Sequence, residues 1–208
     1  MPTEKEQTSN ERGGYLFTYA QIVFNQVRRL AILENDPPKD YQGWMLFTQP
    51  HQIESEKREC KILAVISTAL FLEAYIYDYA ARKESASFVD KYLDKLDPVA
   101  KWAVIPRLLS PPGLDRDNDA FGRLKRLFKF RNDLVHHKTK AGGCIWEPQE
   151  LPDDLPPIAC LNLMCELLDM MLEHDPEEEI AKFILRHVAS WVEYSGKDIR
   201  FYPIAWEA

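Results

Sequence analysis

The sequence predicts an all-α protein, a single-domain helical bundle, on three observations. Apolar residues recur at helical spacing in stretch after stretch. No strand-like alternation of useful length appears. The pattern breaks where proline, glycine and aspartate cluster, as helix stops and caps require. With 208 residues, 46% hydrophobic and 28% charged, the chain suffices for one substantial core. The expected organisation is a loose N-terminus over residues 1–13, a helical domain over 14–198 and an apolar tail over 199–208.

From Tyr15, the residues Ala20, Val23, Phe24, Val27, Leu30 and Ala31 give a first helix that Asn35-Asp36-Pro37-Pro38 stops. The segment 36–52 mixes Pro37, Pro38, Gly43 and Pro50 with Tyr41, Trp44 and Phe47, and reads as a loop folded on the core. A long helix follows over about 52–82, with Cys60, Leu63, Ala64, Ser67, Leu70, Phe71, Ala74 and Tyr77 on a shared side. Its apolar run from Ile62 to Leu72 holds Ser67 and Thr68 and is too short to span a bilayer, so a buried segment and no membrane partner are expected. Glu73 shares a line with Leu63, Ile66, Leu70 and Tyr77. Such a carboxylate either faces a cation, for which Arg131 is the candidate, or reaches water at the edge of the buried side.

Residues 86–96 make a short helix, and Asp97-Pro98 opens another, because Asp suits the N-cap and Pro the first helical position. Ser110-Pro111-Pro112-Gly113 ends it, and Asp117 to Asp119 are placed to cap the next helix. After an irregular connection between Gly142 and Pro157, the stretch 158–172 is apolar except for a strip of Asn162, Glu166 and Asp169. Asp175-Pro176-Glu177-Glu178-Glu179 then opens a last helix, whose inner face carries Ile180, Phe183, Ile184, His187, Val188 and Trp191. His187 is expected there as a satisfied core histidine.

The helix between the last two loops is the chemical centre of the sequence. At about 100° per residue, Phe121, Leu124, Leu127, Phe128, Leu134 and Val135 share one arc, with Arg131 in its middle. A guanidinium stays charged and needs an anionic or polar partner among apolar neighbours. Lys125, Lys129, Asn132 and His136 form a second arc. From residue 123 to 140 there are seven Lys or Arg and one acid, Asp133, on a chain of net charge −7. That balance excludes a general nucleic-acid coating protein and leaves local attraction of phosphates. Histidines and lysines in a last helical turn also complement the helix dipole, which by itself accounts for His136 and His137 structurally.

Arg131-Asn132-Asp133-Leu134-Val135-His136 resembles the Arg-x4-6-His pattern of the HEPN superfamily. Leu72-Glu73-Ala74-Tyr75-Ile76 looks like the acidic-then-aromatic segment of the same fold, with Tyr77 where many relatives carry a polar residue. The resemblance spans roughly residues 55–195 as an arrangement of helices. It implies an all-helical, HEPN-like, dimeric protein and, for many members, a metal-independent endoribonuclease acting as a toxin or in antiviral defence. On that implication Arg131 and His136 are catalytic and Asn132, His137 and Glu73 support them. Lys125, Lys129 and Lys138 hold RNA phosphates, and no metal or cofactor is expected.

The chemistry suits those residue types. Metal-free cleavage needs a base for the 2′-hydroxyl proton and a fixed cation for charge gathering on phosphorus. Histidine titrates near neutrality, and arginine offers a permanent fork. Positions five apart on a helix diverge by about 140°, so the helix distorts or two copies meet in a composite groove. The competing class is a non-catalytic module binding RNA, a nucleotide or an antitoxin-like protein. The cysteines Cys60, Cys144, Cys160 and Cys165 lack Cys-x-x-Cys spacing, so reduced thiols and a cytoplasmic location are expected.

Overall fold

A computed structural model describes residues 4–35, 49–135 and 155–194; it contains seven α-helices and no strand among those residues. They are α1 (Glu4–Asn35), α2 (Gln49–Lys83), α3 (Ala86–Phe88), α4 (Pro98–Leu109), α5 (Asp119–Val135), α6 (Pro157–His174) and α7 (Glu179–Tyr194). A π-helical turn, Val89–Leu93, continues α3. The all-α expectation is met. The tail 199–208 lies outside the described residues.

α2 is the axis of the fold, touched by α1, α3, α4, α5 and α6. From Ala64 to Ala80 it buries Val65, Ala69, Phe71, Leu72, Tyr75, Ile76 and Tyr79. By length and composition it is apolar enough to cross a membrane, but the larger part of its most apolar window is covered by the other helices. The side expected to face inward is split. Cys60, Ala64, Ser67 and Phe71 are buried, whereas Leu63 and Leu70 keep 43% and 40% of their surface. The reason is that over residues 61–81 neighbours surround α2 except along a narrow strip, and that strip carries Leu63, Leu70 and the half-buried Glu73.

α1 pairs antiparallel with α2: Arg29 near its end meets Glu56 near the start of α2, above a satellite cluster of Leu30, Leu33 and Cys60. Its helix begins at Glu4, so Gly13-Gly14 lies within it and the part of the expected N-terminal stretch from Glu4 onward is helical. Glu4, Lys5, Glu6, Gln7, Glu11 and Arg12 are good helix formers, and a helix already anchored by a buried face tolerates glycine at about 1 kcal/mol each.

Asp97 caps α4 as expected, its Oδ1 accepting from the Val99 and Ala100 amides at 3.1 Å. Trp102 sets the register of α4 on α2: its ring is fully buried, stacks on Tyr75 and donates its indole N–H to Leu72 O at 3.1 Å. Asn118, between the two aspartates expected to cap α5, supplies that cap by accepting from the Ala120 amide at 2.9 Å.

α6 is buried on nearly every side, and Asn162, Glu166 and Asp169 stay on its partly exposed strip. α7 starts at Glu179, later than Asp175-Pro176 suggests. Asp175 is instead drawn toward α2, where its Oδ2 accepts from Tyr79 Oη at 3.1 Å and pairs with Lys83. Next to it Arg82 grips Glu178 through both terminal nitrogens at 2.9 and 2.7 Å and Asp78 through Nε at 2.7 Å. These bonds tie the end of α2 to the α6–α7 turn. His187 is satisfied but half-buried, outside the core expected for it: it packs among Phe17, Trp191 and the exposed Phe183 and bonds Phe183 O through Nδ1 at 2.8 Å.

Candidate functional site

α5 lies on the bundle with Phe121, Leu124, Leu127 and Phe128 inward. The arc does not stay buried to its end: Leu134 is half-buried and Val135 is 57% exposed, so the last turn rises out of the core. Arg131 sits at that transition. Its guanidinium lies 5.3 Å from the Phe128 ring centroid and donates from Nη2 to Glu73 Oε2 at 2.9 Å, while Nε is buried without a hydrogen-bond partner. The side chain keeps 21% of its surface. Both alternatives for Glu73 therefore hold together, since it faces Arg131 and is still 36% exposed.

A residue the sequence did not single out joins this pair. Lys101 of α4 is 3% exposed overall, with Nζ 4.0 Å from Glu73 Oε1 and 3.4 Å from Asp94 Oδ1. Its signal was faint: a lone cation in the apolar run Val99-Ala100-Lys101-Trp102-Ala103-Val104-Ile105. The register fixed by Trp102 at Leu72 is what brings Lys101 to Glu73, the next residue of α2. Three helices thus converge on one carboxylate.

The remaining cations of α5 are less available than a local count suggests. Arg123 bonds Glu166 of α6 through Nη2, and its Nε lies 2.9 Å from Asp119 without hydrogen-bond alignment. Lys129 Nζ is 3.6 Å from Asp133. Lys125, Lys129 and Asn132 are all exposed on the outer side of α5. His136, His137 and Lys138 lie outside the described residues; among the others, the structure joins Arg131 to Glu73 and holds Lys125, Lys129 and Asn132 apart from that pair, on the outer side of α5.

Elsewhere, burial pushes the Cys160 and Cys165 thiols up to about 12, so both stay protonated near neutrality. Burial, reinforced by Glu173 and Glu166, pushes Asp169 up to about 6. Among the described residues no group of three His, Cys, Asp or Glu is placed to hold a metal ion. No protein-family model, curated protein or solved structure matches the chain.

Proposed function

We propose that this protein is a metal-independent endoribonuclease of the HEPN type, of the kind that serves as a toxin or antiviral effector. Arg131 steadies the scissile phosphate, His136 takes the 2′-hydroxyl proton as the 2′-oxygen attacks phosphorus, and the P–O5′ bond breaks with the 5′-oxygen leaving protonated, His137 being the reserve acid. The observation that carries the reading is the placement of Arg131. It is an arginine held on one edge by a carboxylate of another helix, partly open to solvent, at the emerging end of a basic helix and five positions before a histidine. A guanidinium fixed in this way is preorganised, so little entropy is lost when its remaining donors meet a phosphate. Asn132 and His137 support the pair, and Lys125, Lys129 and Lys138 guide the backbone of the RNA. The exposed Val135 and half-buried Leu134 give the last turn an apolar edge that suits pairing with the same turn of a second copy in the cytoplasm.

The full chain is tested on a mixed RNA pool in EDTA. Cleavage giving 2′,3′-cyclic phosphate ends is expected, and Arg131→Ala and His136→Ala each lower its rate by about a hundredfold or more, with helicity and oligomeric state unchanged. Activity persisting in both variants removes the assignment. The ion pair also favours a second reading, a non-catalytic module that binds RNA, a nucleotide or an antitoxin-like protein, because Glu73 already satisfies part of the Arg131 fork. Salt-dependent RNA binding with no cleavage supports that module instead.

A further inference from the structure

Glu73 is divided between two cations. Its Oε2 is held by Arg131 at 2.9 Å, and its Oε1 lies 4.0 Å from Lys101 Nζ, near enough for attraction and too far for a hydrogen bond. Lys101 of α4 is almost wholly buried, yet among the described residues its ammonium donates one long hydrogen bond, 3.4 Å to Asp94 Oδ1, whose side chain is 57% exposed. A buried ammonium needs a close anion, and this one is underserved. Arg131 for its part has a buried Nε with no acceptor. The carboxylate between them thus has a second resting place already built.

We propose that Lys101 is a positioning residue that receives the Glu73 carboxylate when a phosphodiester takes its place on Arg131. A phosphate approaching the exposed edge of Arg131 competes for the same guanidinium, and a carboxylate displaced with no cation nearby would be left repelling the incoming anion. Lys101 removes that penalty. The side-chain movement required is small, about 1 Å to bring a 4.0 Å contact to hydrogen-bonding range. The phosphate part of this inference rests on the ribonuclease reading, whereas the handover from one cation to the other rests on the geometry alone.

The two parts are tested separately, on the full chain. In urea denaturation, a double-mutant cycle between Lys101→Met and Glu73→Gln is measured twice, with Arg131 present and in Arg131→Met, which imitates release of the carboxylate. The handover requires Lys101 and Glu73 to couple weakly, about twofold or less in the unfolding constant, with Arg131 present, and about fivefold or more without it. Equal coupling in the two backgrounds overturns it. Lys101→Gln enters the same cycle if Lys101→Met does not fold. In RNA cleavage, Lys101→Met is expected to raise KM severalfold with little change in kcat, and Glu73→Gln is expected to erase that effect. A loss that persists beside Glu73→Gln marks Lys101 as merely structural. If the unaltered chain cleaves no RNA, the ribonuclease reading falls, and the denaturation cycle still decides the handover.

Discussion

Replacing Arg82 by Met should be among the most destabilising single changes in the bundle. The guanidinium makes a two-pronged contact with Glu178 at 2.9 and 2.7 Å and a third bond to Asp78 at 2.7 Å, and these carboxylates are only 1% and 5% exposed. Their proximity raises the arginine above its ordinary value against the opposing pull of burial, so it is charged throughout any practical pH range. Methionine fills much of the space but leaves two buried carboxylates without a cation. Removing one partner of a buried pair costs about 3 to 5 kcal/mol, and the low end applies because the Arg82 side chain keeps 27% of its surface. For a chain of this size that corresponds to a Tm lower by about 6 to 12 °C. Scanning calorimetry at pH 8 and pH 5 measures it. Leaving two buried carboxylates without a cation costs most where they carry charge, so the deficit is larger at pH 8 than at pH 5. A deficit below about 1 kcal/mol, or one equal at the two pH values, refutes the claim that this contact anchors the end of α2.

Asp169→Asn should act in the opposite sense. Burial raises this carboxyl from its ordinary 3.8 to about 6, so its favourable contribution is complete below about pH 4 and is lost as pH rises through about 6. The uncorrected shift is worth about 3 kcal/mol, and solvent screening at this half-exposed group reduces it to about 1 kcal/mol. The asparagine variant is therefore more stable at pH 8 and unchanged near pH 4 by urea titration; stabilisation equal at both sinks the argument. Gly113→Ala should cost about 2 kcal/mol, because Gly113 has φ +86° and an added Cβ would lie 2.7 Å from Arg107 Cβ and 2.8 Å from its Cα, where helical backbone must shift. An unchanged urea midpoint would mean that the loop ahead of α5 yields.

Features with local causes were legible in the sequence. The Asp97-Pro98 start and the polar strip of α6 follow from residues a few positions apart. The meeting of Glu73 and Arg131 was legible for a different reason: each stood among apolar neighbours, and a charge so placed calls for a counter-charge. Lys101 escaped because a lysine stem can lie along apolar surface with its ammonium in water, so a lone lysine does not announce a buried partner. Its depth is decided by the Trp102 bond to Leu72, a contact across 30 positions of the chain. The same limit affects charge. Within residues 123 to 140 Asp133 is the sole acid, yet Asp119, Glu166 and Glu73 reach the cations of α5 from outside that window.

That redistribution separates two arginines of α5. Arg123 and Arg131 each sit beside apolar core residues on α5, and each meets an acid from another helix. Arg123 has two carboxylates near it, Glu166 and Asp119, so its charge is spent within the fold. Arg131 has one carboxylate among the described residues, which lies within attraction of the buried Lys101 as well, and Asp94 on the far side of that lysine is mostly in water. More positive charge therefore remains uncompensated around Arg131 than around Arg123. On the proposed reading a phosphate gains more at Arg131, where the fork is oriented but incompletely neutralised, than at a single solvated lysine farther along the helix. On the proposed reading, the feature that would mark this end of α5 as the place for chemistry is an arginine with half a partner, and the density of basic residues on the helix is secondary to it.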